Sequence, residues 1–181
     1  MHDHTKLTQD RIGHLKERLE REITQKICPL QVTAWQVPGE PVSFAEATAA
    51  SYQPFPPGTW WGAPWSTWWL HVTGTLPASH VDEEIDLSMD LGFVGDWAGN
   101  QAEAMVYTPA GRPLKALNPR NHRIGLNHGA LAARFAAQGE PLIGADGDVE
   151  LWVEAAGNPD MTQHLACLLY TSPSPRDRTR S

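Results

Sequence analysis

With 181 residues, 41% apolar and 19% charged, the chain is long enough for one domain with a buried core and too apolar to be disordered. A formal net charge of −7 without a basic patch argues against nucleic acid as a partner. Two cysteines cannot build a disulfide framework, the polar start "MHDHTKLTQDRIGHLKERLEREI" lacks a signal-peptide core, and no apolar run nears the ~20 residues of a membrane span. Together these describe a soluble, cytoplasmic protein with no membrane partner.

The first predicted element is an amphipathic helix from Thr8 to Ile27, with Leu7, Ile12, Leu15, Leu19, Ile23 and Ile27 on one stripe and Pro29 ending it. The period then changes to two. "LQVTAWQV" reads as a strand, closed by the turn "PGEP" at Pro38 to Pro41. "SFAEATAA" reads as a short helix with Ser43 as cap and Glu46 completing a capping box. "YQPFPPGTWWGAPW" is too irregular for either element, whereas "STWWLHVTGTL" is rich in aromatic and β-branched residues and reads as a strand.

"EEIDLSMDLG" alternates cleanly: Ile85, Leu87, Met89 and Leu91 on one side, Asp86, Ser88 and Asp90 on a polar outer face. "QAEAMVYTPAGRPLKAL" reads as a hairpin, with Pro109 and Gly111 suited to its turn. "NHGALAARFAAQG" is a short helix or an ordered loop. In "GDVELWVEAAGN", Val149, Leu151, Val153 and Ala155 face inward and Glu150 and Glu154 outward. Many short strands with few helices predict a mainly β fold, an antiparallel, jelly-roll-like sandwich behind an N-terminal helix.

Little in the chain carries chemistry. None of the eight histidines stands in a zinc-ligand spacing, and His2 and His4 read as a solvated terminus. Asp86, Asp90, Asp96 and Glu103 lie near one another, but a glycosidase needs two carboxyls ~5–10 Å apart. Asp86 and Asp90 would be roughly 13 Å apart along a strand. There is no nucleophile elbow and no phosphate-binding glycine loop. No catalytic and no metal-binding residue is therefore assigned. What remains is "TWWGAPWSTWW", with Trp60, Trp61, Trp65, Trp68 and Trp69. Such rings can stack on a sugar or anchor a core or a domain interface. Trp68 and Trp69 must point to opposite faces of their strand, so at least one meets another layer, domain or ligand.

Five stretches, "GEPVSFAEA", "YQPFPPGTWWGAPWSTWWLHVTGTLPA", "IDLSMDLGF", "GNQAEAMVYTPAGRPLKALNPRN" and "DVELWVEAAGNP", resemble in this order the N-terminal region of bacterial and fungal-type α-mannosidases of glycoside hydrolase family 38. The motif residues are Trp61, Gly62, Pro64, Trp65, Ser66, Thr67 and Trp68, then Ala102, Glu103, Val106 and Tyr107, then Leu117, Asn118, Arg120 and Asn121. The resemblance implies a non-catalytic β-sandwich placed before a catalytic barrel. It implies a retaining exo-enzyme that removes terminal α-linked mannose, with zinc or another divalent metal in the barrel, and a homo-oligomer as a further partner. The family's H-x-D metal motif and nucleophile would lie downstream of this region. A different class of reading is a stand-alone carbohydrate-binding module using exposed tryptophans.

The end, "CLLYTSPSPRDRTRS", is similar to a translated sequencing adapter, and it holds three of the fourteen basic residues. The expected organisation is a helical segment over 1–28, a β-sandwich over 29–166, and a disordered, adapter-derived tail over 167–181, with the coding sequence cut near Ala166.

Overall fold

The structure is a computed structural model that describes residues 8–15, 25–80, 82–94, 100–158, 167–168 and 170–174. Eleven strands and three α-helices are present among them. Helix α1 covers residues 8–15. Strands β1 (Gln31–Gln36), β2 (Gln53–Pro54), β3 (Trp60–Trp61), β4 (Ser66–Thr75) and β5 (Asp86–Asp90) follow, with helix α2 (Phe44–Thr48) after β1. Then come β6 (Ala102–Tyr107), β7 (Pro113–Leu117), β8 (Arg123–Gly125), helix α3 (Gly129–Ala137), β9 (Asp148–Gly157), β10 (Cys167–Leu168) and β11 (Tyr170–Ser174).

Six strands form one antiparallel sheet in the order β2-β1-β4-β9-β6-β7, and β11-β5-β8 form a second. The period-two segments built the first sheet as expected. Ten consecutive residue pairs join β4 to β9, from Ser66 opposite Gly157 to Thr75 opposite Asp148. Leu70, Val72, Val106, Leu151 and Val153 from this sheet meet Leu87, Met89 and Ile124 from the other in one core, the arrangement of a sandwich. At ~25 cal/mol per Å² of apolar surface, this burial is the main force holding the two layers together.

The other face of the large sheet is covered too. Trp35, Trp69, Tyr107 and Trp152 lie there under Phe44 and Ala47 of α2 and under Tyr52. The short helix forms where its capping box predicts: the Glu46 amide donates to Ser43 Oγ at 3.3 Å, and the Ser43 amide donates to Glu46 Oε2 at 3.0 Å. Trp69 and Trp68 thus split as alternation requires, Trp69 under α2 and Trp68 against the sandwich core.

Four expectations change. Of the helix predicted over Thr8 to Ile27, residues 8–15 are helical, with Ile12 and Leu15 exposed, and residues 16–24 lie outside the described residues. Residues 25–30 are not helical, because Ile27 and Leu30 are drawn into the sandwich core ahead of β1. The "irregular" Trp segment contributes β2 and β3. The outer face of β5 is not a solvated one: Ser88 and Asp90 are buried. Asp90 Oδ1 accepts from the Gly92 and Phe93 amides at 2.8 and 3.1 Å, so its charge caps the loop that follows.

The tail expected to be disordered over 167–181 contains backbone strands: β10 pairs with β3, and β11 pairs with β5. The physical reason lies in the acceptors, since an open strand edge presents unpaired N–H and C=O groups to any extended segment nearby.

Candidate functional site

The tryptophan motif folds into a tight turn at one end of the sandwich. Ala63 to Ser66 form it, closed by the Ser66 amide donating to the Ala63 carbonyl at 3.0 Å. Pro64 takes the first central place and Trp65 the second, with φ of 65°. Proline followed by a positive φ is the pattern of a type II turn, whose second central place ordinarily holds glycine. Here it holds an indole that is 82% exposed. A bulky residue in this backbone region costs about 1–3 kcal/mol and persists only where its surroundings enforce it. They do so here, because the Trp65 amide donates to the Gly157 carbonyl at 2.7 Å. A Cβ at Gly157 would sit 2.8 Å from the Ala63 carbonyl oxygen and 2.9 Å from that of Gly62, so only glycine admits the turn this close to β9.

Around this turn the motif tryptophans divide. Trp61 is buried, donates its indole N–H to the Leu91 carbonyl at 3.2 Å and meets Trp68 edge-on at 6.4 Å. Trp68 lies against Phe55 and donates to Ser66 Oγ at 3.2 Å. Trp60, on the opposite side of β3, is 63% exposed. Val94, four residues past β5, is also exposed.

Other motif residues arrive at the same end. Ala102 starts β6 opposite Gly157, and Glu103 follows it and accepts from Asn158 Nδ2 at 3.3 Å. Leu117 to Asn121 make the turn that leaves β7: the Asn121 amide donates to the Asn118 carbonyl, the Arg120 amide to Asn118 Oδ1, and Asn121 Nδ2 to the Ala116 carbonyl. The Asn118 and Asn121 side chains therefore brace this turn. The register sets these motif residues at one end of the large sheet, the tryptophan turn before β4 and the Asn118–Asn121 turn after β7, three strands apart. Thr67 and Trp68 lie just inside the end, where the Thr67 carbonyl accepts from the Val37 amide.

Tyr107 does not join them. It stands opposite Trp152, roughly 16 Å further along β6 at ~3.3 Å per residue. Its ring stacks on Trp69 at 5.4 Å and its hydroxyl donates to Glu154 Oε2 at 2.9 Å. Burial, reinforced by the neighbouring Glu154 carboxylate, pushes its phenol up to about 12.

Other polar side chains are engaged within the fold. His71 stacks on Trp152 at 4.0 Å and pairs with Glu150 at 2.8 Å, while His128 pairs with Asp86 at 2.9 Å. A cleft of about 370 Å³ between the β6–β7 hairpin and the start of β9 is lined by Glu140, Asp148 and Glu150, among others. Each of these already has a partner, in Arg112, Thr75 and His71 respectively. Asp96 lies outside the described residues. Among the described residues, no group of three or more His, Cys, Asp or Glu is placed to hold a metal ion. No helix among them is long and apolar enough to cross a membrane. Sequence reasoning missed Gly157. Its signal was a glycine closing an otherwise regular strand, where a close backbone approach is the usual cause.

A two-layer antiparallel sandwich with an aromatic turn at one end defines a β-domain of jelly-roll type. Residues 28–179 match the family described as "Alpha-mannosidase, jelly roll domain", and the chain belongs to that family. A comparison with curated proteins gives no match.

Proposed function

We propose that this chain is the N-terminal, non-catalytic sandwich of a retaining exo-α-mannosidase of glycoside hydrolase family 38, and that its tryptophan-turn end packs against the catalytic barrel. The whole enzyme removes terminal α-linked mannose. The chain itself does not, because the acid pair and the zinc ligands belong to the barrel. The observation that carries the reading is Trp65, an exposed indole held at a turn position where glycine would cost less. Trp60 and Val94 add apolar surface. Large exposed aromatics at a domain end fit burial by a neighbouring domain. The family resemblance supports a zinc in that barrel, and among the described residues of this chain no group of three or more His, Cys, Asp or Glu is placed to hold it. The tail from Cys167 onward is read as adapter-derived, with the enzyme's own sequence leaving the chain near Ala166. The acidic composition and few cysteines fit a cytoplasmic setting.

The test is an assay of the purified chain on an aryl α-mannoside with zinc present. No hydrolysis is expected, and measurable turnover would sink the proposal. Two exposed indoles also favour a second reading, sugar stacking by a carbohydrate-binding module. A tryptophan fluorescence shift at millimolar mannose that disappears in Trp65→Ala would favour the module over the interdomain surface.

A further inference from the structure

Three walls meet at the cleft of about 370 Å³, a volume within the ~300–1,000 Å³ of small-molecule sites. The turn that joins β6 to β7 gives Thr108 and Pro109, the segment after α3 gives Glu140 and Pro141, and the start of β9 gives Asp148 and Glu150. Gly139, with φ of 78°, turns the chain out of α3. The Glu140 amide then donates to the Phe135 carbonyl at 3.0 Å. Arg112 Nη1 donates to Glu140 Oε1 at 3.1 Å, and its guanidinium lies 4.9 Å over the buried ring of Phe135. The walls are therefore fixed by two prolines and by an ion pair braced on the core, and a ligand that enters loses little to ordering them.

The polar groups of the cleft are incompletely served, in opposite senses. Thr108 is 1% exposed. Its hydroxyl oxygen accepts from the Arg112 amide at 3.3 Å, but its hydrogen has only Glu140 Oε2, at 3.5 Å, past the ~2.5–3.0 Å of a good O–H···O bond. A buried donor in this condition is a cost that an incoming acceptor removes. The carboxylates want donors instead. Thr75 donates to Asp148 Oδ1 at 2.6 Å and His71 pairs with Glu150 Oε1 at 2.8 Å, which leaves the second oxygen of each open to the cleft. An alkylammonium would serve the carboxylates but has no acceptor for Thr108. An anion would serve Thr108 but meets three carboxylates. A hydroxyl group does both.

We propose that this cleft binds a small neutral polyol, a single sugar ring, whose hydroxyls accept from Thr108 and donate to Asp148 and Glu150 while its C–H face lies on Pro109 and Pro141. Asp148 starts β9 and Gly157 ends it, so the site lies roughly 30 Å along the strand from the tryptophan turn. It stands on the chemistry of the cleft and not on the mannosidase reading.

The experiment uses the full chain, isotope-labelled, and titrates mannose, glucose and cadaverine to ~100 mM while the amide signals are followed. At least one sugar is expected to move the amides of Thr108, Glu140 and Asp148 with a millimolar midpoint, and cadaverine is expected to leave them in place. Thr108→Val should weaken the sugar about fivefold to tenfold, and Thr108→Ser should restore it by keeping the hydroxyl. Asp148→Ala, at an exposed position, should weaken it by a similar factor and decides the matter if the valine variant does not fold. No movement at the cleft with either sugar overturns the proposal, as does equal binding in parent and variants, or cadaverine binding more tightly than both sugars. Trp65→Ala is expected to leave the cleft's response unchanged, and no arm reads mannoside hydrolysis, so the cleft can fail while the mannosidase reading stands, and the reverse.

Discussion

The amide of Trp65 donates to the carbonyl of Gly157 across 2.7 Å, and this one bond joins the tryptophan turn to the end of β9. The two residues break opposite conventions. Trp65 stands where glycine is easiest, and Gly157 stands in a strand where glycine is unfavourable. Trp65→Gly is therefore expected to relieve backbone strain and leave the isolated domain as stable or more stable, by up to about 1 kcal/mol. Gly157→Ala should cost about 2–3 kcal/mol, because the new methyl meets backbone oxygens that cannot move aside. Urea unfolding of both variants checks the pair. A destabilised Trp65→Gly would mean that the indole serves the fold after all.

Two buried indoles offer a matched comparison. Trp61 donates to the Leu91 carbonyl at 3.2 Å, whereas Trp69, 1% exposed, has no hydrogen-bond partner for its ring N–H. Replacing either by phenylalanine removes a similar volume. Only Trp61→Phe also leaves a buried carbonyl without its donor, whereas Trp69→Phe removes an unsatisfied donor. Denaturant midpoints should place Trp61→Phe about 1–2 kcal/mol below Trp69→Phe.

The phenols give a pH signature. Burial raises both Tyr52 and Tyr107 to about 12. A raised folded pKa means that the folded state favours the neutral form. The contribution is complete below the ordinary tyrosine value of about 10 and is lost as pH climbs through about 12. Absorbance titration near 295 nm should show these two ionising late and together with alkaline unfolding. In Tyr107→Phe one late ionisation disappears.

At the acid end, the Ser43 hydrogen bonds hold the Glu46 carboxyl below the usual carboxylate range. The capping interaction is thus present above the unfolded pKa and fades as pH falls through the depressed folded value. Ser43→Ala should cost about 1 kcal/mol near neutral pH, with the difference from the parent shrinking at low pH, as read by thermal melts across the range.

The local pattern was sufficient for most of the architecture. Alternation of apolar residues marked β1, β4, β5, β6 and β9, because a strand's side-chain period of two is visible in any half-buried segment. The capping box at Ser43 and Glu46 and the positive φ of Gly111, at 76°, followed from chemistry confined to a few neighbouring residues. The polar side of β5 misled for the same reason that the others succeeded. Asp86, Ser88 and Asp90 look like a wet face to local reasoning, but Asp86 meets His128 from far along the chain, and Asp90 turns to the amides of the loop that follows it.

By itself, then, the sequence determined the class of fold, the cap, the hairpin and the identity of the tryptophan motif, since each rests on periodicity, turn chemistry or a run of consecutive residues. Only the tertiary structure decided which tryptophans are buried and which face out. It also decided that Trp65 is held strained by Gly157, ninety-two residues away, that Tyr107 stands apart from the other motif residues, and that the edge of β5 takes up a strand. These depend on which strands become neighbours. That choice is made by the collective burial of the two layers, and no short window of residues contains it.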